Sequence, residues 1–137
     1  MRRTLLYVGL VIAIVLSFPS HVRAVSVQSN PRNVPYVIGF HPLNSSAHPY
    51  LGQMHLTFNH GIISGTYTDI SIRPGSPFAN VHNAPVSGGL SGSHVTFTVR
   101  QVTFRGTMDG EKMSGSATIR GTIYTFAAQQ GTPGGGR

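Results

Sequence analysis

Apolar residues recur at every second position through most of the chain after residue 50, and this period of two predicts β-strands. In residues 53–59, Met54, Leu56 and Phe58 share one face while His55 and Thr57 share the other. His60-Gly61 follows as a tight turn, and residues 62–69 return with the pairs Phe58/Ile63, Leu56/Gly65 and Met54/Tyr67. A second hairpin joins residues 84–90 to 95–100 around 91–94, with inward pairs Leu90/Val95, Gly88/Phe97 and Val86/Val99. The clearest hairpin is residues 102–119, V-T-F-R-G-T-M-D-G-E-K-M-S-G-S-A-T-I, turning at Asp109-Gly110. A loop of those two residues pairs Phe104 with Gly115. A loop of residues 109–112 pairs Met108 with Met113 and Phe104 with Ala117. Both registers put the same residues on the same face, so the pattern sets sidedness and leaves register open. Residues 122–128 add a last strand with Tyr124, Phe126 and Ala128 inward.

Between the hairpins, residues 35–40 (P-Y-V-I-G-F) read as a short first strand, 41–50 as a loop, and 73–83 (R-P-G-S-P-F-A-N-V-H-N) as the longest loop. Arg100-Gln101 contains no turn-forming residue, so the step from Val99 to Val102 is either a turn or a bulge. Bulky inward residues recur opposite inward glycines, a device that lets a strongly bent sheet pack. The expected fold is all-β, a small antiparallel up-and-down β-barrel of about eight strands, with a β-sandwich as the alternative. Such a barrel is either filled by its own side chains or wide enough for one small ligand.

The first residues change the address. Met1-Arg2-Arg3 is basic, residues 5–18 are nearly all apolar, and residues 19–24 end in V-R-A. This pattern predicts a secretory signal peptide over 1–24, a loose lead-in over 25–34, one barrel domain over 35–128 and a glycine-rich tail over 129–137. The apolar run is too short to span a bilayer, so no transmembrane anchor is expected after cleavage. The expected location is secreted or periplasmic.

Composition then narrows the chemistry. No cysteine is present, which excludes disulfides and thiolate chemistry. Beyond residue 24 the only acids are Asp69, Asp109 and Glu111. Asp109 and Glu111 sit at a hairpin tip where they cannot be desolvated for acid–base work. Asp69 shares inward parity with Tyr67, or else opens the following loop. The histidines lack metal-ligand spacing. No nucleophile elbow and no phosphate-binding loop are present. The expectation is a non-enzymatic protein with no metal and no cofactor.

Residues 51–69, L-G-Q-M-H-L-T-F-N-H-G-I-I-S-G-T-Y-T-D, resemble the avidin family of biotin-binding barrels, as residues 94–108 do more weakly. The resemblance implies a barrel and places Tyr67 in its cavity, with Asp69 where the family more often has a hydroxyl residue. The tryptophans of that family's biotin site have no counterpart, because the chain contains none. Fold likeness does not transfer a ligand.

Two functional expectations result. In the first, the barrel carries a small apolar or amphipathic ligand, contacted by Tyr67, Asp69, Phe97, Phe104, Tyr124 and Phe126. In the second, the core is filled and the protein is an interaction module, an inhibitor or envelope component. It would meet a protein or an anionic surface through residues 73–83 or through a basic patch of Arg100, Arg105, Lys112 and Arg120. No outward aromatics interleave with these cations, so nucleic acid is not expected.

Overall fold

The computed structural model describes residues 32–133. The signal peptide read over 1–24, residues 25–31 of the lead-in and the last four residues of the tail lie outside them. Eight antiparallel strands follow one another: β1 (Arg32–Pro42), β2 (Tyr50–Asn59), β3 (Ile62–Asp69), β4 (Ala84–Ser91), β5 (His94–Val99), β6 (Val102–Asp109), β7 (Lys112–Ile119) and β8 (Thr122–Gln130). Each pairs with the next, and β8 pairs back with β1. The result is a closed up-and-down barrel, not a sandwich. Closure leaves no sheet edge to protect.

The first strand is longer than the sequence suggested and absorbs three residues of the expected lead-in. Val34, Tyr36, Ile38 and Phe40 alternate inward, but Pro35 and Gly39 between them and Pro42 after them hide the pattern. Proline is tolerated at 35 because that edge of the residue faces the point where β8 ends, where its carbonyl accepts from the Gly131 amide at 2.9 Å. The last strand likewise runs past 128, since Tyr36 pairs with Gln130.

Five connections are two-residue loops. His60-Gly61, Arg100-Gln101 and Arg120-Gly121 have positive φ at both positions, the type I′ pattern that matches strand twist. In the β4–β5 and β6–β7 loops the first residue, Gly92 or Gly110, has positive φ and its successor does not. The β6–β7 hairpin therefore closes on the pair Asp109/Lys112. Met108 faces Met113, Phe104 faces Ala117, and Gly106 faces Gly115. The Phe104/Gly115 pairing of the tighter register does not occur.

Arg100-Gln101 is thus a turn, with φ of 50° and 73°. The left-handed region costs an ordinary L-residue about 1–2 kcal/mol. Replacing the pair by Asn-Gly should raise stability by about 1 kcal/mol and the midpoint of thermal unfolding by roughly 4–8 °C. An unchanged or lower midpoint would show that the two native side chains contribute contacts that offset the strain.

The strands carry inward rings and aliphatics to one core. Tyr36, Ile38, Phe40, Met54, Leu56, Ile63, Tyr67, Val95, Phe97, Val99, Phe104 and Met113 are almost wholly buried. Outward positions are mainly hydroxyl-bearing, as in Thr96, Thr98, Thr103, Thr107, Ser114 and Ser116. The connections alternate between two ends. Residues 43–49, residues 70–83 and the turns at 100–101 and 120–121 form one end. The turns at 60–61, 92–93 and 110–111 form the other, beside the start of β1 and the end of β8.

Candidate functional site

Four of the six residues expected to contact a ligand come together in the buried core of the barrel. The rings of Phe97 and Phe104 stack at 4.9 Å, 8° from parallel. Phe126 meets both edge-on, at 5.8 Å and 5.4 Å. Such offset and edge-to-face arrangements are the favourable ones for aromatic pairs. Tyr67 is fully buried. Tyr124 is only half-buried, near Phe40 at 6.0 Å. Asp69 stands apart at the end of β3, where the loop begins.

The loop-bearing end is closed by a residue that strand periodicity could not find. Phe78 lies in the irregular segment 70–83, yet it is buried and inserts among Phe40, Tyr67 and Phe104 at 5.6, 5.1 and 6.2 Å. The only hint in the sequence is an aromatic residue within a Pro/Gly/Ser-rich stretch, P-G-S-P-F.

Asp69 is what holds that loop. Its Oδ1 accepts from the Ser71 and Ser76 hydroxyls at 3.1 and 2.9 Å, and Oδ2 accepts from the Ser71 amide at 3.4 Å. Its own amide donates to the Val81 carbonyl at 2.9 Å. Ser76 Oγ in turn accepts from the Phe78 amide at 3.1 Å, so the carboxylate is linked through one hydroxyl to the plug. Of the two roles open to Asp69, opening and organising the loop is the observed one. Its partners are serines rather than Tyr67 or an arginine. Arg73 also serves this end: its guanidinium donates to the His48 carbonyl and lies 4.4 Å from the centre of the Tyr50 ring, a cation–π contact.

Tyr67 has a different anomaly. Its hydroxyl is buried without a hydrogen-bond partner. The ring packs on the backbone of Gly52, where an added Cβ would come within 2.3 Å of it. Burial, and secondly the nearby Asp69 carboxylate, push its ionisation well above the ordinary tyrosine range. Tyr36 is also raised, first by burial and then by Glu111.

An orphaned buried hydroxyl costs about 1–3 kcal/mol. Tyr67→Phe is therefore expected to stabilise the barrel by about 1 kcal/mol or more, measured by urea unfolding. A loss of stability would reveal a partner for the hydroxyl. The alkaline limb follows with a definite sign. In the unfolded chain these phenols ionise near pH 10, whereas the folded state keeps them neutral. Above that pH the unfolded chain binds fewer protons, so stability falls as pH rises, by up to about 1.4 kcal/mol per pH unit for each tyrosine. Tyr67→Phe should make that slope shallower. An identical pH profile in the variant would exclude Tyr67 as a contributor.

The four expected basic residues do not form one patch. Arg100 and Arg120 sit on turns at the loop-bearing end. Arg105 lies mid-wall on β6, opposite Thr96 and Ser116. Lys112 starts β7 beside Asp109 at the far end, about 27 Å of strand from Arg120. Arg100 and Arg120 instead border a cleft of about 490 Å³ at the barrel rim, whose other walls include Pro77, Ala79, Gln101 and Thr118. A second surface groove of about 550 Å³ runs over small outward residues of β1, β8 and β7, including Gly39, Ser114 and Ala127. Among the described residues no three of His, Asp and Glu converge as metal ligands. No protein-family model, curated protein or solved structure matches this chain.

Proposed function

We propose that this protein is an exported, non-enzymatic binding module that works through the loop-bearing end of its barrel and keeps its interior filled. The observation that carries this reading is Phe78. A loop residue completes an aromatic core already supplied by Phe40, Tyr67, Phe97, Phe104 and Phe126, leaving side chains where a carrier would hold a ligand. The absence of a catalytic role is supported by the placement of the acids. Asp69 is taken up by Ser71 and Ser76, and Asp109 and Glu111 belong to a turn at the opposite end.

The test compares the two ends. A photo-crosslinking amino acid placed at position 72 or at position 111 is exposed to the envelope of cells that secrete the protein. Adducts are expected from position 72 and not from position 111. Equal yields, or yields favouring 111, would overturn the assignment of the working end. The carrier reading is tested by thermal shift with benzene and a medium-chain fatty acid. No shift is expected, and a saturable stabilisation would restore the barrel interior as the binding site.

A further inference from the structure

The loop-bearing end brings two features together. It exposes large aliphatic side chains: Ile72 is 95% exposed, Ile123 50% and Leu43 48%. The remaining large exposed aliphatic among the described residues, Ile62, is at the other end. Leu43 and Ile123 are neighbours, joined by a 2.8 Å backbone hydrogen bond from the Leu43 amide to the Ile123 carbonyl. Ile72 is offered by the anchored segment 70–83, whose Ile70 and Ser71 bond to the backbone of Leu51. A fully exposed isoleucine on a loop held this firmly is presented outward, not frayed.

The same end is cationic. Arg100 and Arg120 flank the 490 Å³ cleft, and the described residues include no carboxylate within ion-pairing distance and no hydrogen bond from either guanidinium. Both residues occupy left-handed backbone, φ 50° and 51°, at turn positions where asparagine would be relaxed. Among the described residues neither exposed guanidinium has a partner, so both are available to a group outside the barrel. Among the described residues the only carboxylate at this end, that of Asp69, is engaged by Ser71 and Ser76, whereas Asp109 and Glu111 lie at the opposite end. The barrel is thus positively polarised toward its aliphatic face.

Exposed aliphatics beside exposed arginines match a bilayer interface, where the former enter the headgroup region and the latter meet lipid phosphate. The hydroxyl-rich wall does not offer such a surface. We propose that this end of the barrel docks on an anionic phospholipid bilayer, Ile72, Leu43 and Ile123 entering the interface and Arg100 and Arg120 meeting headgroup phosphates. The inference rests on the loop-bearing end being the working surface, and it names the partner.

The test is co-sedimentation of the purified protein with vesicles of phosphatidylcholine containing one third phosphatidylglycerol, against pure phosphatidylcholine. Binding is expected to the first, weakening with added salt. Arg100→Asn with Arg120→Asn suits both turns, so the fold is retained, and should cut partitioning by about 25-fold, roughly fivefold per arginine. Ile72→Asp, at a residue with almost no packing, should cut it at least about tenfold. Lys112→Ser, at the far end, should leave it unchanged. Failure to bind, equal binding to neutral vesicles, or wild-type binding by the arginine and Ile72 variants would overturn the proposal. So would full displacement by millimolar glycerol phosphate, which would assign the cleft to a soluble phosphate. If vesicles fail while position 72 still crosslinks selectively, the lipid assignment falls and the working end stands.

Discussion

Gly106→Ala is expected to abolish the native barrel. Gly106 and Gly115 face each other directly across β6 and β7, and a Cβ on Gly106 would lie 1.9 Å from the Ser114 carbonyl oxygen and 2.8 Å from the Gly115 Cα. The obstruction is backbone, and that backbone is held on both sides: Gly106 pairs with Val95 as well, and Gly115 with Phe126. A closed barrel cannot move one strand outward without straining the whole ring of hydrogen bonds. The penalty should exceed about 4 kcal/mol, which is most of the stability of a domain this size. Gly115→Ala should behave alike, its Cβ meeting the Arg105 carbonyl oxygen at 2.0 Å. Gly110→Ala is the control. Its φ of 63° makes alanine strained, but nothing lies within 4 Å of the added carbon, so only about 1–2 kcal/mol is expected. Circular dichroism and urea titration of the three variants separate close approach from backbone strain. A folded Gly106→Ala protein with a melting temperature near that of the wild type would refute the observed register.

Phe104→Ala is the second large effect. Phe104 is fully buried and touches four other rings: Phe97, Phe126, Phe78 and Phe40, at 4.9 to 6.3 Å. Removing the ring forfeits its transfer energy and leaves a cavity that the closed wall cannot collapse onto, a loss of about 3–5 kcal/mol. The same cavity should be apolar and dry. Benzene is therefore expected to raise the melting temperature of the variant and to leave the wild type unaffected. A wild-type protein that also responds would mean that the interior has room of its own. A variant that loses less than about 1 kcal/mol would mean that Phe104 is not the centre of the core.

That Phe104 points inward was legible, because period-two alternation assigns faces whatever the register. That Gly106 opposes Gly115 was not legible. Two loops differing by two residues give identical faces, and only the hydrogen-bonded partnership with β5 and β8 selects between them. The third strand shows the same division: Tyr67 was legible as inward, whereas the orphaned state of its hydroxyl depends on Gly52 and on the absence of a neighbouring donor or acceptor.

The basic residues mark the boundary on the surface side. Arg100, Arg105, Lys112 and Arg120 are close in sequence, which suggests one patch. Successive antiparallel strands carry such neighbours to opposite ends, so only Arg100 and Arg120 meet, at a rim they share with residues 77–81. Asp69 shows how a polar residue escapes parity. The strand stops there, and its carboxylate turns to the serines that shape the loop.

What the chain determines by itself is local: an alternation of apolar and hydroxyl-bearing residues, glycine at tight turns, a cysteine-free composition and the inward identity of the rings on its alternating strands. These follow from the two-residue repeat of a strand and the φ preferences of turn residues, which any short window contains. Tertiary structure decided what depends on distant segments meeting. β1 is a long strand because β8 returns to pair with it. Phe78 is core because segment 70–83 folds across the end of the barrel. The cationic, aliphatic face exists because four connections that are remote in sequence end at the same rim.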